Sequence, residues 1–545
     1  MSSELCFFDA FTRYGPRPKK HAAHPWRLDD ILAEMEHCSI SGALVASTYS
    51  IYQDAMEGNL RLSAEIAPHS HLFPVWNAMP HHAGDFPSPR EIEPLLRRHR
   101  VRAVLIHPKT NRWDWEAPHS REFFRWLARR HLLTIVFKEE FAQVSDLERL
   151  LARHPSLRVL LMSAGWDDQR FLLPMMERRK NLHLALDRFQ IHYGPERFVK
   201  MGCEDRILYA SNAPLMGMGA HRAFLDWAEA PAAARRKMAG GNLARLLGME
   251  LPVPRENRSE DRLMAAARAG RPLPAPIVDF HMHILPEGAR GGIEHVRMEN
   301  GGPEGVFHQL HRLGCVGGGF MSWRVAAYDS WGGNEDVRRC LDVAPPGYWG
   351  LASVDPLYYS QDQLARMIPE VYQDRRFVGM KPYLRFGVEY HHPSYDVWWK
   401  FGNRHRFYAL IHRTRGDYAE VDALAKKYPR VRWVVAHCGA DYRSAELGVE
   451  CARRHPNVYL EITYTAVTCG IIDYLVKGAG ADRVLYGSDL PMRDLRPQLG
   501  WVVFSRLAEA DKRKVLASNA QRVLAPCLAR LPERHRPKLG GETRS

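Results

Sequence analysis

The 545-residue chain has no run of the roughly 18 to 20 uninterrupted apolar residues that a bilayer span needs, and Met1 to Phe8 do not join a basic segment to a long apolar one. A cytoplasmic protein with no membrane partner is expected. Its nine cysteines are scattered and none falls in a Cys-x-x-Cys pair, which argues against a disulfide framework or a zinc ribbon and for reduced, buried thiols. No glycine-rich nucleotide fingerprint follows an apolar run. Long blocks of one charge are also missing. The formal charge of +14 comes mostly from arginine, yet the longest basic runs, Arg97-Arg98-His99-Arg100 and Arg235-Arg236-Lys237, are short and lie in amphipathic segments. A nucleic-acid partner is therefore not expected.

What is present is a balance of 46% hydrophobic and 25% charged residues, as in a globular protein, in a chain long enough for two large domains. An internal repeat defines them. Arg206-Ile-Leu-Tyr-Ala-Ser-Asn212-Ala-Pro214 returns as Arg483-Val-Leu-Tyr-Gly-Ser-Asp489-Leu-Pro491, and Gly241-Asn242-Leu-Ala-Arg245 returns as Ser518-Asn519-Ala-Gln-Arg522. Asp9 matches Asp279, Gly58-Asn59 matches Gly333-Asn334, and Leu157-Arg158-Val159 matches Val431-Arg432-Trp433, with offsets that stay between 270 and 277. So small a drift signifies a tandem duplication. The expected division is a first copy over 1–250, a Pro- and Arg-rich linker over 251–275, a second copy over 276–530 and a polar tail over 531–545. Within each copy short apolar runs alternate with amphipathic segments, about eight times in roughly 250 residues. That pattern predicts an α/β chain of two tandem (β/α)₈ barrels.

The second copy opens with Pro276-Ile-Val-Asp279-Phe-His281-Met-His283. On a strand, side chains alternate faces, so Asp279, His281 and His283 point the same way, and two imidazoles at that spacing can begin a metal site. Further apolar runs end in Tyr408-Ala-Leu-Ile-His412, in Trp433-Val-Val-Ala-His437-Cys-Gly439 and in Val484-Leu-Tyr-Gly-Ser-Asp489. Barrel active sites are assembled from such strand ends.

In that order, with Val378-Gly-Met-Lys381-Pro at the fourth strand, these phrases resemble the amidohydrolase superfamily, in its amidohydrolase-related branch of aminocarboxymuconate-semialdehyde decarboxylase-like enzymes. The resemblance spans about Pro276 to Ala525. It implies that His281, His283, His412 and Asp489 bind one divalent ion, with His437 close by to polarise or position the substrate and Asp489 carrying a proton. Zinc is the default for imidazole-rich ligation, with manganese or iron as alternatives. Lys381, which some relatives carboxylate, is expected unmodified and lining the mouth. Arg324, Arg385, Arg413 and Arg415 are candidates to bind a carboxylate on a small-molecule substrate; Glu461 and Tyr464 are weaker ones.

The first copy has Phe11 and Arg13 where the second has His281 and His283, Phe137 for His412, Ser163 for His437 and Asn212 for Asp489. It keeps Asp9, and His107 stands roughly opposite Lys381. A non-catalytic barrel is expected, serving its partner copy as one half of an intramolecular pseudo-dimer. For the whole chain the leading expectation is metal-dependent hydrolysis of an amide, lactone or related bond. Non-oxidative decarboxylation of an unsaturated or aromatic acid is the alternative, since fold and ligands cannot choose between them. A non-catalytic binding or assembly role is the third.

Overall fold

The computed structural model describes residues 4–18, 20–254, 257, 259–288, 298–383, 386–412 and 416–538. The chain divides into two compact units, one of Met1–Gln190 and Gly194–Glu260, the other of Ile191–Tyr193 and Asp261–Ser545.

The first unit holds eight strands, β1 (Phe8–Tyr14), β2 (Gly42–Ser47), β3 (Leu72–Asn77), β4 (Ala103–Ile106), β5 (Leu133–Phe137), β6 (Arg158–Met162), β7 (Leu182–Ala185) and β8 (Ile207–Leu208). The second repeats the set as β9 (Ile277–His283), β10 (Cys315–Met321), β11 (Tyr348–Ala352), β12 (Phe377–Met380), β13 (Tyr408–Ile411), β14 (Arg432–Val435), β15 (Val458–Glu461) and β16 (Val484–Leu485). Each set pairs in sequence order, all parallel, with helices between successive strands. Closure comes from the chain just past the last strand: Ala10 donates to the Tyr209 carbonyl at 3.0 Å and Phe280 to the Tyr486 carbonyl at 3.1 Å. Single parallel bridges join Thr12 to Ala213 and Met282 to Leu490. Both units are thus nearly closed (β/α)₈ barrels, as the repeat predicted.

The repeated landmarks now acquire physical roles. Asp9 accepts the N–H groups of Phe11 (3.1 Å) and Ser211 (2.9 Å), and Asp279 accepts those of His281 (3.0 Å) and Ser488 (3.0 Å), tying the first strand to the last. Asn59 exchanges two hydrogen bonds with the Asn77 backbone, both 2.9 Å, and Asn334 does the same with Ser353, both 2.8 Å. Asn242 caps the carbonyls of Glu204 and Ile207, as Asn519 caps those of Ala481 and Val484. Buried backbone groups at loop corners must find partners, which explains why amides recur there.

The stretch read as a linker ends in a helix, Arg262–Arg268, whose Leu263, Met264, Ala266 and Ala267 are buried in the second unit. Residues 531–538, the start of the stretch read as a tail, pack on that unit: Leu531 and His535 are buried, and His535 Nδ1 lies 2.7 Å from the Tyr348 carbonyl. Residues 539–545 lie outside the described residues.

Burial raises the Asp9 carboxyl to about 7 despite the hydrogen bonds it accepts. A folded-state pKa above the unfolded one means that the native chain holds the extra proton between about pH 4 and 7, so this group's contribution is intact below its unfolded pKa and is lost as the pH rises through 7. Asp9→Asn is expected to raise the thermal midpoint at pH 8 and leave it nearly unchanged at pH 4, in melts followed by circular dichroism. An equal shift at both pH values would contradict the assignment.

Candidate metal centre in the second barrel

Strand β9 sends Asp279, His281 and His283 to one face, and all three are buried. His281 Nε2 lies 3.2 Å from His283 Nε2, while Asp489, in the segment after β16, sets Oδ1 2.8 Å from His283 Nε2 and 3.5 Å from His281 Nε2. The other oxygen of Asp489 is held in a close ion pair by Arg493, four residues further on. Asp489 occupies the left-handed region at φ 61°, and so does His437 at φ 68°. Such a backbone is uncommon for a side-chain-bearing residue and marks positions fixed by their surroundings.

Behind His281 lies Glu461, the last residue of β15, fully buried with Oε2 3.2 Å from His281 Nδ1. The same oxygen accepts the His437 backbone N–H at 3.3 Å, and Oε1 accepts that of Thr463 at 2.7 Å. The Thr463 carbonyl faces His437 Nδ1 at 2.8 Å. A carbonyl only accepts, so Nδ1 carries the hydrogen and Nε2 keeps its lone pair. That Nε2 is 3.2 Å from His412 Nδ1. Lys381, just after β12, is fully buried with Nζ 3.0 Å from His281 Nε2.

Burial sets the charge of this cluster. Desolvation, reinforced by the neighbouring cations, holds His281, His283 and His437 well below the usual imidazole range, so each is neutral at neutral pH, the form that ligates metal. Burial lowers the Lys381 amine to about 7 and raises the Glu461 carboxyl to about 7.

Lone pairs on His281 Nε2, His283 Nε2 and Asp489 Oδ1 therefore face one another with few protons to share. Donors on one tetrahedral ion, each at ~2.0 to 2.1 Å, would stand about 3.3 Å apart, and the three separations here are 2.8, 3.2 and 3.5 Å. These residues fit a divalent cation. His281, His437 and Glu461 form a second converging group, and both groups found among the described residues lie in this barrel.

Four of the predicted residues, His281, His283, Asp489 and His437, thus share one buried cluster, and His412 reaches it through His437. Lys381 sits deeper than a residue lining the mouth. Arg324 is exposed and committed to the next helix, with Nε 2.8 Å from Asp336 and Nη1 3.5 Å from Asp329. Arg385, Arg413 and Arg415 lie outside the described residues. Tyr464 flanks His437 at 6.1 Å between ring centres. Sequence reasoning gave little weight to Glu461 and none to Arg493. Glu461 carries the signal that singled out Asp489, a carboxylate closing an apolar strand.

The first barrel keeps the framework and changes the groups on it. Ser163 and Asn212, which replace His437 and Asp489, retain the left-handed backbone at φ 61° and 56°. Phe11 and Phe137 meet edge to face at 5.3 Å where the second barrel has histidines.

Fold and site together define a (β/α)₈ barrel protein with a candidate centre for a divalent cation. The amidohydrolase family model matches residues 16–249 and 278–525, and the chain belongs to that family. Gamma-resorcylate decarboxylase of Polaromonas sp. is 27% identical over 143 residues, 23% of this chain and 41% of that enzyme, so the chain spans less than half the length of this curated relative. Among solved structures, 5-carboxyvanillate decarboxylase of Sphingomonas paucimobilis aligns with 45% of this chain and 100% of its own, at 15% identity and a TM-score of 0.37. The manganese-bound 5-carboxyvanillate decarboxylase of Novosphingobium aromaticivorans aligns with 45% and 98%, at 13% identity and a TM-score of 0.39.

Groups that orient a ligating histidine commonly change metal affinity by about 10- to 100-fold when removed. Glu461→Gln is expected to weaken binding of zinc or manganese to the full chain within that range, and His281→Ala to abolish stoichiometric metal, measured by equilibrium dialysis with elemental analysis. Retention of one tightly held ion per chain in His281→Ala would contradict the ligand assignment.

Proposed function

We propose that the second barrel is a metal-dependent decarboxylase of a small unsaturated or aromatic carboxylic acid, in preference to the hydrolase that the ligand pattern first suggests. The observation that carries this reading is the similarity to gamma-resorcylate decarboxylase, a relative whose name states loss of a carboxyl group. The buried cluster supplies what that chemistry requires.

His281, His283 and Asp489 would hold the divalent ion, with His412 and His437 beside them. When bound, it supplies positive charge that fixes and polarises an anionic substrate group. Glu461 locks the ring of His281, and the Thr463 carbonyl locks that of His437, so both imidazoles are oriented in advance. Asp489, gripped by His283 and Arg493, is the group to deliver a proton. Asp489 first takes a proton from solvent. The carbon–carbon bond to the carboxyl group breaks, its electron pair stays on the unsaturated carbon, that proton is added there, carbon dioxide leaves and Asp489 returns to its charged form. Burial of the cluster keeps bulk water from competing for these contacts.

Incubation of the metal-loaded chain with a panel of hydroxybenzoates, beginning with gamma-resorcylate, in heavy water is expected to give a product with one deuterium at the carbon that lost its carboxyl group. In ¹⁸O-labelled water the organic product should gain no label, whereas hydrolysis would place solvent oxygen in it. Asp489→Asn is expected to lower kcat by about 100-fold or more, within the range that general acid–base groups contribute.

A further inference from the structure

The N-terminal ends of β4, β5 and β6 open onto a cavity of about 520 Å³, at the opposite end of the first barrel from its strand C-termini. Arg97, Arg100, Arg102, Arg130, Arg158 and Arg245 line it beside His131, and no carboxylate is among the described residues that do. Part of this donor capacity serves the fold. Arg102 Nη1 donates to the Leu247 carbonyl at 2.6 Å and Arg158 Nη1 to that of Leu246 at 2.9 Å, capping the helix Asn242–Leu247. Arg245 Nη2 donates to the Asp205 carbonyl at 2.7 Å. Neutral carbonyls leave the guanidinium charge uncancelled. Arg130 lies 3.6 Å from Glu93, whereas Arg97 and Arg100 are exposed and have no ion pair or side-chain hydrogen bond among the described residues. The field is felt inside the barrel: burial, with the charges of Arg206, Arg245 and Arg158 behind it, lowers the His183 imidazole on β7 to about 4.

The second barrel treats the same place differently. At the offset of 274 between His107 and Lys381, Arg100 and Arg102 correspond to Asp374 and Arg376. Arg376 is neutralised by Asp374 at 2.8 Å and by Asp342 at 2.6 Å. The chain beyond the last helix then covers the start of β12: Arg530 Nε donates to the Phe377 carbonyl at 3.3 Å, and Arg375 Nε to that of Arg530 at 2.9 Å. In the first barrel the chain beyond Leu247 instead reaches Cys6, whose Sγ is 3.3 Å from the Pro252 carbonyl. One barrel neutralises and covers this end, and the other adds an arginine and leaves it open.

We propose that this arginine-lined cavity binds a compact polyanion, a chain of two or three linked phosphates, either free or carried on a nucleotide. Guanidiniums gathered without carboxylates repel one another and attract a multiply charged anion. Their forked N–H groups match phosphate oxygens in pairs, and they are donors only, as such a ligand requires. The volume is that of a small-molecule site. Beyond His131 the lining offers no ring on which a base could stack, so the phosphates carry the recognition and a single-stranded nucleic acid is disfavoured.

Isothermal titration calorimetry of the full-length chain with inorganic tripolyphosphate is expected to show one saturable site per chain, weakened by added salt. The double variant R97Q/R100Q is expected to raise Kd by about tenfold or more. Arg100→Asp, which places the second barrel's residue at this position, should do the same and decides the question if the double variant does not fold. R121Q/R125Q, an equal loss of charge on the exposed side of the helix Pro118–Arg129, is expected to leave Kd within about twofold. Adenosine triphosphate separates the two sources: tighter binding than tripolyphosphate assigns a nucleotide, and equal or weaker binding a free polyphosphate. Absence of binding, an unchanged Kd in R97Q/R100Q or Arg100→Asp, equal weakening in R121Q/R125Q, or displacement of tripolyphosphate by an oligonucleotide that binds more tightly would overturn the proposal.

Discussion

The structure of the second barrel depends on one electrostatic constraint: three imidazoles, an amine and two carboxylates are packed within hydrogen-bonding reach of each other with almost no solvent to separate their charges. In such a setting each group adopts the protonation state its neighbours allow. The imidazoles give up their protons, Lys381 and Glu461 are brought together near 7, and Asp489 pairs with Arg493, four residues further on. The set is a candidate site for a divalent cation, which would replace several missing protons with one charge.

The barrel makes such packing possible without any single loop bearing the whole load. His281 and His283 stand on the first strand, Lys381 follows the fourth, His412 the fifth, His437 the sixth, Glu461 ends the seventh, and Asp489 follows the eighth. Each is fixed by a rigid strand, and Asp279 ties the first strand to the segment after the last from below. The first barrel keeps the strand order and the left-handed backbone at Ser163 and Asn212, while Phe11, Arg13 and Phe137 stand where the second has histidines. One fold thus carries two different sets of side chains at its strand ends, as expected where function resides in the groups grafted onto a scaffold.

How much of this was legible in the sequence varies with the physical range of the signal. Period-two alternation placed His281 and His283 on one face, and apolar runs ending in histidine or aspartate exposed His412, His437 and Asp489, because strand geometry is local. The duplication fixed the fold, since both copies repeat the same corner amides and the same Asp9 and Asp279 anchors. Lys381 was found but misjudged in depth, because burial depends on how neighbouring strands close over it. Arg324 looked available because its partner Asp336 lies on the next helix, a contact that spacing does not reveal. Arg493 left no strand-end pattern; its reach to Asp489 depends on the turn between them.

The central claim is that separate strand ends meet around one cation, and the most direct measurement is X-ray absorption spectroscopy of the full chain loaded with one equivalent of zinc or manganese. The account predicts a first coordination sphere with at least two imidazole nitrogens and one carboxylate oxygen on a single ion. A shell of water oxygens alone, or one containing sulfur from the cysteines, would contradict it.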